Sequence, residues 1–331
     1  MTQTEERPGS TTSAAHERAE EWFAAFEDAL AARDVERAAS LFAATSFWRD
    51  LIAFSWNITT VEDPAGVAEL LTATLDGTAP SGFRLTEPAD EADGGTTAWF
   101  EFETAVGRAN GLARFVEEDG ELRAWTFLTA MFELTGHEEP RSTRRPMGAQ
   151  HGADKHRTTW AEARQAEAES LGSTTQPYVL VIGGGQGGIA LGARLRQLGV
   201  PALVIDKHPR PGDQWRNRYK SLCLHDPVWY DHLPYLKFPD NWPVFAPKDK
   251  IGDWLEAYVT TMEVPYWSST TATSATYSDE TGEWTVEVER EGQPLTLRPK
   301  QLVLATGMTG RLGLPDIPVA KTSCVGLSTS G

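Results

Sequence analysis

The chain has 331 residues, 40% of them hydrophobic and 23% charged, a globular composition long enough for two domains of ordinary size. Its 30 basic and 47 acidic residues leave a net charge of −17, which argues against a nucleic-acid or anionic-membrane partner. No apolar run reaches transmembrane length, the N-terminus lacks a signal-peptide hydrophobic region, and Cys223 and Cys324 cannot form a disulfide framework or a C-x-x-C centre, so a cytoplasmic protein is expected.

Residues 1–17 are polar and are expected to form a disordered tail. Trp22, Phe23, Phe26 and Leu30 recur at helical spacing and predict a helix over Ala19–Ala32, with a shorter one near Val35–Phe42. Phe47-Trp48-Arg49-Asp50 and Ala53-Phe54-Ser55-Trp56-Asn57 follow, then a helix from Pro64 to Leu75. The period then changes to two, predicting strands at Phe83–Leu85, Thr96–Phe102, Gly111–Glu117 and Glu121–Glu133, separated by turns such as Asp93-Gly94-Gly95 and Glu118-Asp119-Gly120. Helices followed by a curved antiparallel sheet make an α+β plan. Residues 18–136 resemble the NTF2-like (SnoaL-like) cone domains, whose sheet wraps a pocket. On that resemblance, Asp50 with Trp48, Trp56 and His137 is either a small catalytic pocket or core packing with Asp50 capping locally. The resemblance also allows a homodimer through this domain.

Over 137–175 the composition shifts to a basic linker carrying Arg141, Arg144 and Arg145, then an exposed Ala/Glu/Arg-rich helix at Trp160–Leu171. His137, His151 and His156 match no metal-ligand spacing, so no metal is expected.

Residues 176–331 open a second domain. Tyr178 and the apolar run Val179–Ile182 predict a buried strand, and Gly183, Gly185 and Gly188 then satisfy G-x-G-x-x-G. A helix follows with Ile189, Leu191, Leu195 and Leu198 on its inner side and Gly199 at its end, and the next strand, Ala202–Ile205, closes on Asp206. Strand, glycines, helix and acid together form a dinucleotide fingerprint. The glycines permit a tight turn, close backbone approach to a pyrophosphate and close helix packing; the helix N-terminus faces phosphate charge, and Asp206 can accept hydrogen bonds from a ribose.

After Asp206 come Gly212-Asp213-Gln214-Trp215 and Lys220-Ser221-Leu222-Cys223-Leu224-His225. Over residues 176–318 the sequence resembles the class B flavoprotein monooxygenases: flavin-containing monooxygenases, YUCCA-like and Baeyer–Villiger enzymes. Their G-G-x-W segment lies along the flavin; here Asp213 replaces the second glycine, and either contacts the polar part of the cofactor or completes the turn. His225 stands where the family often carries an asparagine, in the YUCCA-like manner, and is either a reaction-face residue or a residue at a helix entry. The aromatic stretch Trp229–Phe245 suits a substrate channel or plain packing. A helix at Lys248–Met262, a strand near Thr270–Tyr277 and a hairpin of Trp284–Glu289 with Leu295–Leu297 lead to a second buried strand, Gln301–Leu304, ending in Ala305-Thr306-Gly307. In the family that turn approaches FAD. Beyond Pro318 the expected Phe-x-Gly-x-x-x-His motif and NADPH-binding domain do not follow, so the expectation is a truncated chain: an α+β cone and an α/β Rossmann-type FAD domain incomplete at its C-terminus.

The resemblance implies an FAD- and NADPH-dependent monooxygenase that oxygenates a small organic substrate with O2 through a C4a-peroxyflavin. Gly183, Gly185, Gly188 and Asp206 would hold the ADP half, Gly212, Asp213 and Trp215 the flavin side, and Thr306 and Gly307 the returning turn. The alternative is a non-catalytic fragment acting through its cone domain. A flavin disulfide reductase lacks the required cysteine pair, and Gly212–Trp215 with Ala305–Gly307 disfavours a plain NAD dehydrogenase.

Overall fold

The computed structural model describes residues 13–307, apart from 93, 94, 149–151, 153 and 155. The expected tail reading for residues 1–12, the central residues of the Asp93-Gly94-Gly95 turn, His151, Cys324 and the expected departure from the family beyond Pro318 lie outside these residues. The chain divides into two compact units, Met1–Glu139 and Pro140–Gly331. Among the described residues no helix is long and apolar enough to cross a membrane.

In the first unit α1 spans Ala14–Ala31, so residues 14–17, expected to belong to the disordered tail, are helical. The reason is local: Ser13 caps the helix, its side chain accepting from His16 N–H. Its inner face buries Trp22, Phe23, Phe26 and Leu30. After it come α2 (Val35–Ser40), β1 (Phe42–Leu51), β2 (Ile58–Glu62), α3 (Asp63–Thr78), β3 (Ser81–Leu85), β4 (Asp90–Ala92), β5 (Gly95–Thr104), β6 (Gly107–Glu118) and β7 (Glu121–Leu134). The sheet runs β2-β1-β7-β6-β5-β3, with β4 on β5. All pairings are antiparallel except β1 with β7, which is parallel.

Strand β1 is absent from the sequence expectation because its apolar residues fall on both faces: Trp48 is fully buried while its neighbour Phe47 is exposed, which blurs a period of two. The core of this unit is filled by aromatic rings, such as Trp22 stacked on Phe26 at 5.1 Å and Phe83 on Phe102 at 4.8 Å. Of the two readings of Asp50, Trp48, Trp56 and His137, the contacts favour core packing. Trp48 Nε1–H donates to Thr129 Oγ1 (2.9 Å), and the Thr129 hydroxyl donates to Asp50 Oδ1 (2.7 Å). The buried Asp50 carboxylate also accepts from the backbone N–H groups of Ala53, Phe54 and Ser55 and from the Ser55 hydroxyl. Trp56 and His137 are exposed. Asp50 therefore ties down the loop after β1, and the tryptophan beside it is core.

In the second unit α4 (Trp160–Ser170) begins with a capping box between Thr159 and Glu162. It buries no residue of its own, yet Glu167 pairs with Arg196, and Trp160 Nε1–H donates to Glu263. The remaining elements are β8 (Val179–Ile182), α5 (Gln186–Gln197), β9 (Ala202–Ile205), α6 (Asp213–Arg216), α7 (Lys248–Thr261), β10 (Tyr266–Trp267), β11 (Thr270–Ser278), β12 (Glu283–Arg290), β13 (Gln293–Leu297) and β14 (Gln301–Leu304). A parallel sheet runs β10-β9-β8-β14, and β11-β12-β13 form a separate antiparallel sheet. Strands β8 and β9 read as continuous apolar runs because both faces of this sheet are covered. On α5, Ile189 is buried, and Leu191 and Leu195 pack against the core; Leu198, expected on the inner side, is exposed because it caps the helix end just before Gly199, whose φ is +69°.

Candidate nucleotide-binding site

The chain leaves β8 through α5 to β9 on one side, whereas β14 joins β8 on the other. The C-terminal ends of β8 and β14 therefore lie side by side, at the end of the sheet where α/β folds bind ligands. The glycine turn lies at that point. Gly183 has φ +111°, and a side chain there would run into the carbonyl of Ala305, which itself follows β14. Ala305 N–H donates to Ile182 O (2.8 Å), so the turn after β14 is held against the turn after β8. A Cβ on Gly188 would collide with the carbonyl oxygen of Gly183; only glycine lets α5 sit this close to the strand. Gly185 differs: a Cβ there would make only an ordinary contact with Gln214 Nε2 at 3.7 Å, so glycine relieves no packing clash at this position.

Helix α5 begins at Gln186 with Gly185 as its N-cap, and no side chain caps it. Its leading backbone N–H groups lack intrahelical acceptors, and the helix dipole adds partial positive charge at the same place. Asp206, at the end of β9, is nearly buried and holds the turn: Gly184 N–H donates to Oδ2 (2.7 Å) and His208 N–H to Oδ1 (2.8 Å). Each oxygen keeps a lone pair for a hydroxyl donor. Gly184 O receives Tyr266 O–H and Gln214 Nε2–H, each at 3.4 Å. Burial first, then the charges of Asp206 and Asp213, push the Tyr266 hydroxyl far above the usual phenol range, which keeps it a donor.

Gly212, φ +88°, opens α6 where the chain passes against α7; a side chain there would strike the carbonyl of Gly252. The Asp213 carboxylate is turned to Arg216 (2.8 Å) and Arg210 (3.2 Å). Burial alone would raise its pKa, but the hydrogen bond from Arg216 and the charge of Arg210 outweigh it and hold the group below the usual carboxylate range. Arg216 also reaches Asp253 and Glu256, locking α6 to α7. Trp215 Nε1–H donates to Gln186 Oε1 (3.1 Å), bringing the indole to the first residue of α5.

The structure thus gathers Gly183, Gly185, Gly188, Asp206 and Trp215 around one turn, with Thr306 and Gly307 exposed beside Gly183. Gly212 and Asp213 serve the neighbouring α6–α7 contact. His225 is exposed on a segment that pairs with residues 244–248, through Leu224 N–H to Ala246 O and Val228 N–H to Val244 O, and does not join the hydrogen bonds of the glycine turn. Of the aromatic stretch, Phe238 and Trp242 stack at 4.8 Å and pack against Trp254, whereas Trp229, Tyr230, Tyr235 and Phe245 are exposed. Two residues absent from the sequence expectation, Tyr266 and Gln214, complete the turn; a short strand and the third residue of a Gly-Asp-Gln-Trp run carry no local signal of that.

Fold and geometry define a dinucleotide-type Rossmann site, and the family described as an NAD(P)-binding Rossmann-like domain matches residues 181–239. The relatives are more particular. The chain is 33% identical over 152 residues to the indole-3-pyruvate monooxygenase YUCCA1 of Oryza sativa subsp. japonica, covering 46% of this chain and 37% of that protein. It is 35% identical over 146 residues to a Baeyer-Villiger monooxygenase of Streptomyces coelicolor, covering 42% and 24%. An uncharacterized CzcO-like oxidoreductase of Geobacillus kaustophilus is 39% identical over 102 residues, covering 31% and 29%. Among solved structures, cyclohexanone monooxygenase from Rhodococcus sp. Phi1 bound to NADP+ is 26% identical with a TM-score of 0.38, covering 44% of this chain and 28% of that one. The chain spans about a third of the length of the curated relatives it matches, 37% for the rice protein and 29% for the Geobacillus one. Its matching segments are similar to class B flavoprotein monooxygenases.

Proposed function

We propose that the second unit binds FAD and that the chain belongs to an FAD- and NADPH-dependent monooxygenase acting with O2 on a small organic substrate. The observation that carries this is the glycine turn at the C-terminal ends of β8 and β14, where the N-terminus of α5, free of any side-chain cap, and the carboxylate of Asp206 meet. The donor set fits an FAD: free N–H groups for a pyrophosphate, a carboxylate with spare lone pairs for a ribose, and an indole against the helix start. Bound FAD would supply the redox and oxygen chemistry. The chain's residues would bind and orient it, with the backbone of Gly185–Gly188 on the phosphates, Asp206 on a ribose, Trp215 toward the flavin side, and Thr306 and Gly307 along the opposite turn. The polar contacts of Asp213 within the protein favour a turn-completing role for it. His225 is retained as a candidate for the reaction face.

For the first unit, element order supports an NTF2-like cone, and its ring-filled interior favours a docking or dimerising role over a catalytic one. The test is the flavin content of the purified chain, released by denaturation and identified chromatographically. FAD near one per chain is expected, with NADPH oxidation as the following assay. No flavin after incubation with added FAD would refute the proposal.

A further inference from the structure

Tyr266 has no place in the fingerprint, yet it reaches the glycine turn from a strand 82 residues beyond Gly184. Pairing of β10 with β9, Tyr266 opposite Val204, brings its phenol there. A Cβ on Gly184 would overlap the Tyr266 hydroxyl and ring, so the tyrosine occupies the space that a side chain at this position would need. The partly buried hydroxyl donates to Gly184 O (3.4 Å) and, among the described residues, to no other acceptor. Gln214 Nε2–H reaches the same oxygen, so two donors converge on one carbonyl.

In a trans peptide the carbonyl and the following N–H point in opposite directions. Gly185 N–H is therefore turned away from Tyr266, and no described residue accepts from it. The peptide before it is held through Gly184 N–H by Asp206, whereas the Gly184–Gly185 peptide lies between two glycines and is held only through its carbonyl. A flip of that peptide would carry Gly185 from φ −74° into the positive-φ region, which glycine tolerates and other residues avoid. It would also set an N–H against the two donors and leave the Tyr266 O–H without its acceptor. We propose that Tyr266 is a positioning residue for the nucleotide: its hydroxyl holds Gly184 O and so keeps Gly185 N–H turned toward the phosphates. This rests on the FAD reading above. The tyrosine touches no phosphate itself and acts through the backbone of the turn.

The experiment measures the dissociation constants of FAD and of ADP, with ligand-free melting temperatures, for the full chain, Tyr266→Phe, Gly185→Ala and the double variant. Phenylalanine keeps the ring and removes only the hydroxyl. Loss of one neutral hydrogen bond lets the flipped peptide be populated, and both constants should rise roughly 2- to 10-fold, equally for the two ligands because they share the pyrophosphate. Alanine at 185 resists the flip by itself, so in that background loss of the hydroxyl should move the constants less than about twofold. Ligand-free melting of Tyr266→Phe should stay close to that of the unsubstituted chain, because Gly184 O keeps Gln214 Nε2–H as a donor. Unchanged constants in Tyr266→Phe, a rise for FAD alone, or the same factor in both backgrounds would overturn the positioning role, as would a loss accompanied by markedly lower ligand-free melting. Absence of FAD binding by the unsubstituted chain would overturn the FAD reading and this inference together.

Discussion

Asp206→Asn is the most informative single change at the site, because it preserves size and removes only one acceptor. In the native turn both carboxylate oxygens face backbone donors, Gly184 N–H at 2.7 Å and His208 N–H at 2.8 Å. An amide offers one oxygen and one NH2 group. Whichever way it turns, one backbone N–H points at another donor, and the Gly184 N–H is enclosed by the turn. Leaving one such donor unsatisfied costs about 1–3 kcal/mol. The second unit runs from Pro140 to Gly331. For a body of that size each kcal/mol lowers the melting temperature by roughly 2–4 °C, so a fall of about 2–12 °C is expected for its transition. The ligand-free chain should be followed by tryptophan fluorescence and differential scanning calorimetry, with FAD affinity measured in parallel. FAD binding should weaken beyond what the destabilisation explains, since the ribose acceptor is impaired as well. An unchanged ligand-free melting temperature would refute the geometry described for the turn.

The glycines divide into two kinds. Gly188→Ala should disrupt the second unit, because its Cβ meets the Gly183 carbonyl oxygen, a backbone atom that cannot move aside. Gly185→Ala should fold with its melting temperature nearly unchanged and yet lose FAD affinity at least tenfold; equal effects of the two on melting would contradict this division. The Asp213 carboxylate, held below its ordinary range, contributes stability that is present above the unfolded-state pKa of about 4 and is lost as pH falls through the lower folded-state value. The stability advantage of the native chain over Asp213→Asn should therefore shrink from pH 6 to pH 3 in urea titrations, and a constant gap would count against the ion pairs with Arg216 and Arg210. Asp50→Ala strands the donors of the loop after β1 and of Thr129; a loss of about 3–4 kcal/mol in the first unit is expected by denaturant unfolding, with flavin content unchanged.

The nucleotide fingerprint was legible in the sequence because every part of it lies within one stretch, from Val179 to Asp206. An apolar run, glycines at fixed offsets, a helical period and an acid are local properties of the chain, and local propensity is enough to place them. The helices α1, α3 and α7 and the β12–β13 hairpin were legible for the same reason. The return of β14 to the sheet of β8, across some 120 residues of intervening chain, was implied by the family resemblance and by no local pattern, and tertiary structure alone laid β1 parallel to β7. Such pairings follow from which surfaces remain to be buried once the whole chain has collapsed, and no local period encodes them. The same holds for individual side chains. Asp206 reads as a ribose acceptor in the sequence, but only the closed turn makes it a partner of Gly184 N–H as well. Trp48 and Asp50, for which the sequence allowed a pocket but favoured core, are core because Thr129, on a strand remote in sequence, supplied the hydroxyl that joins them.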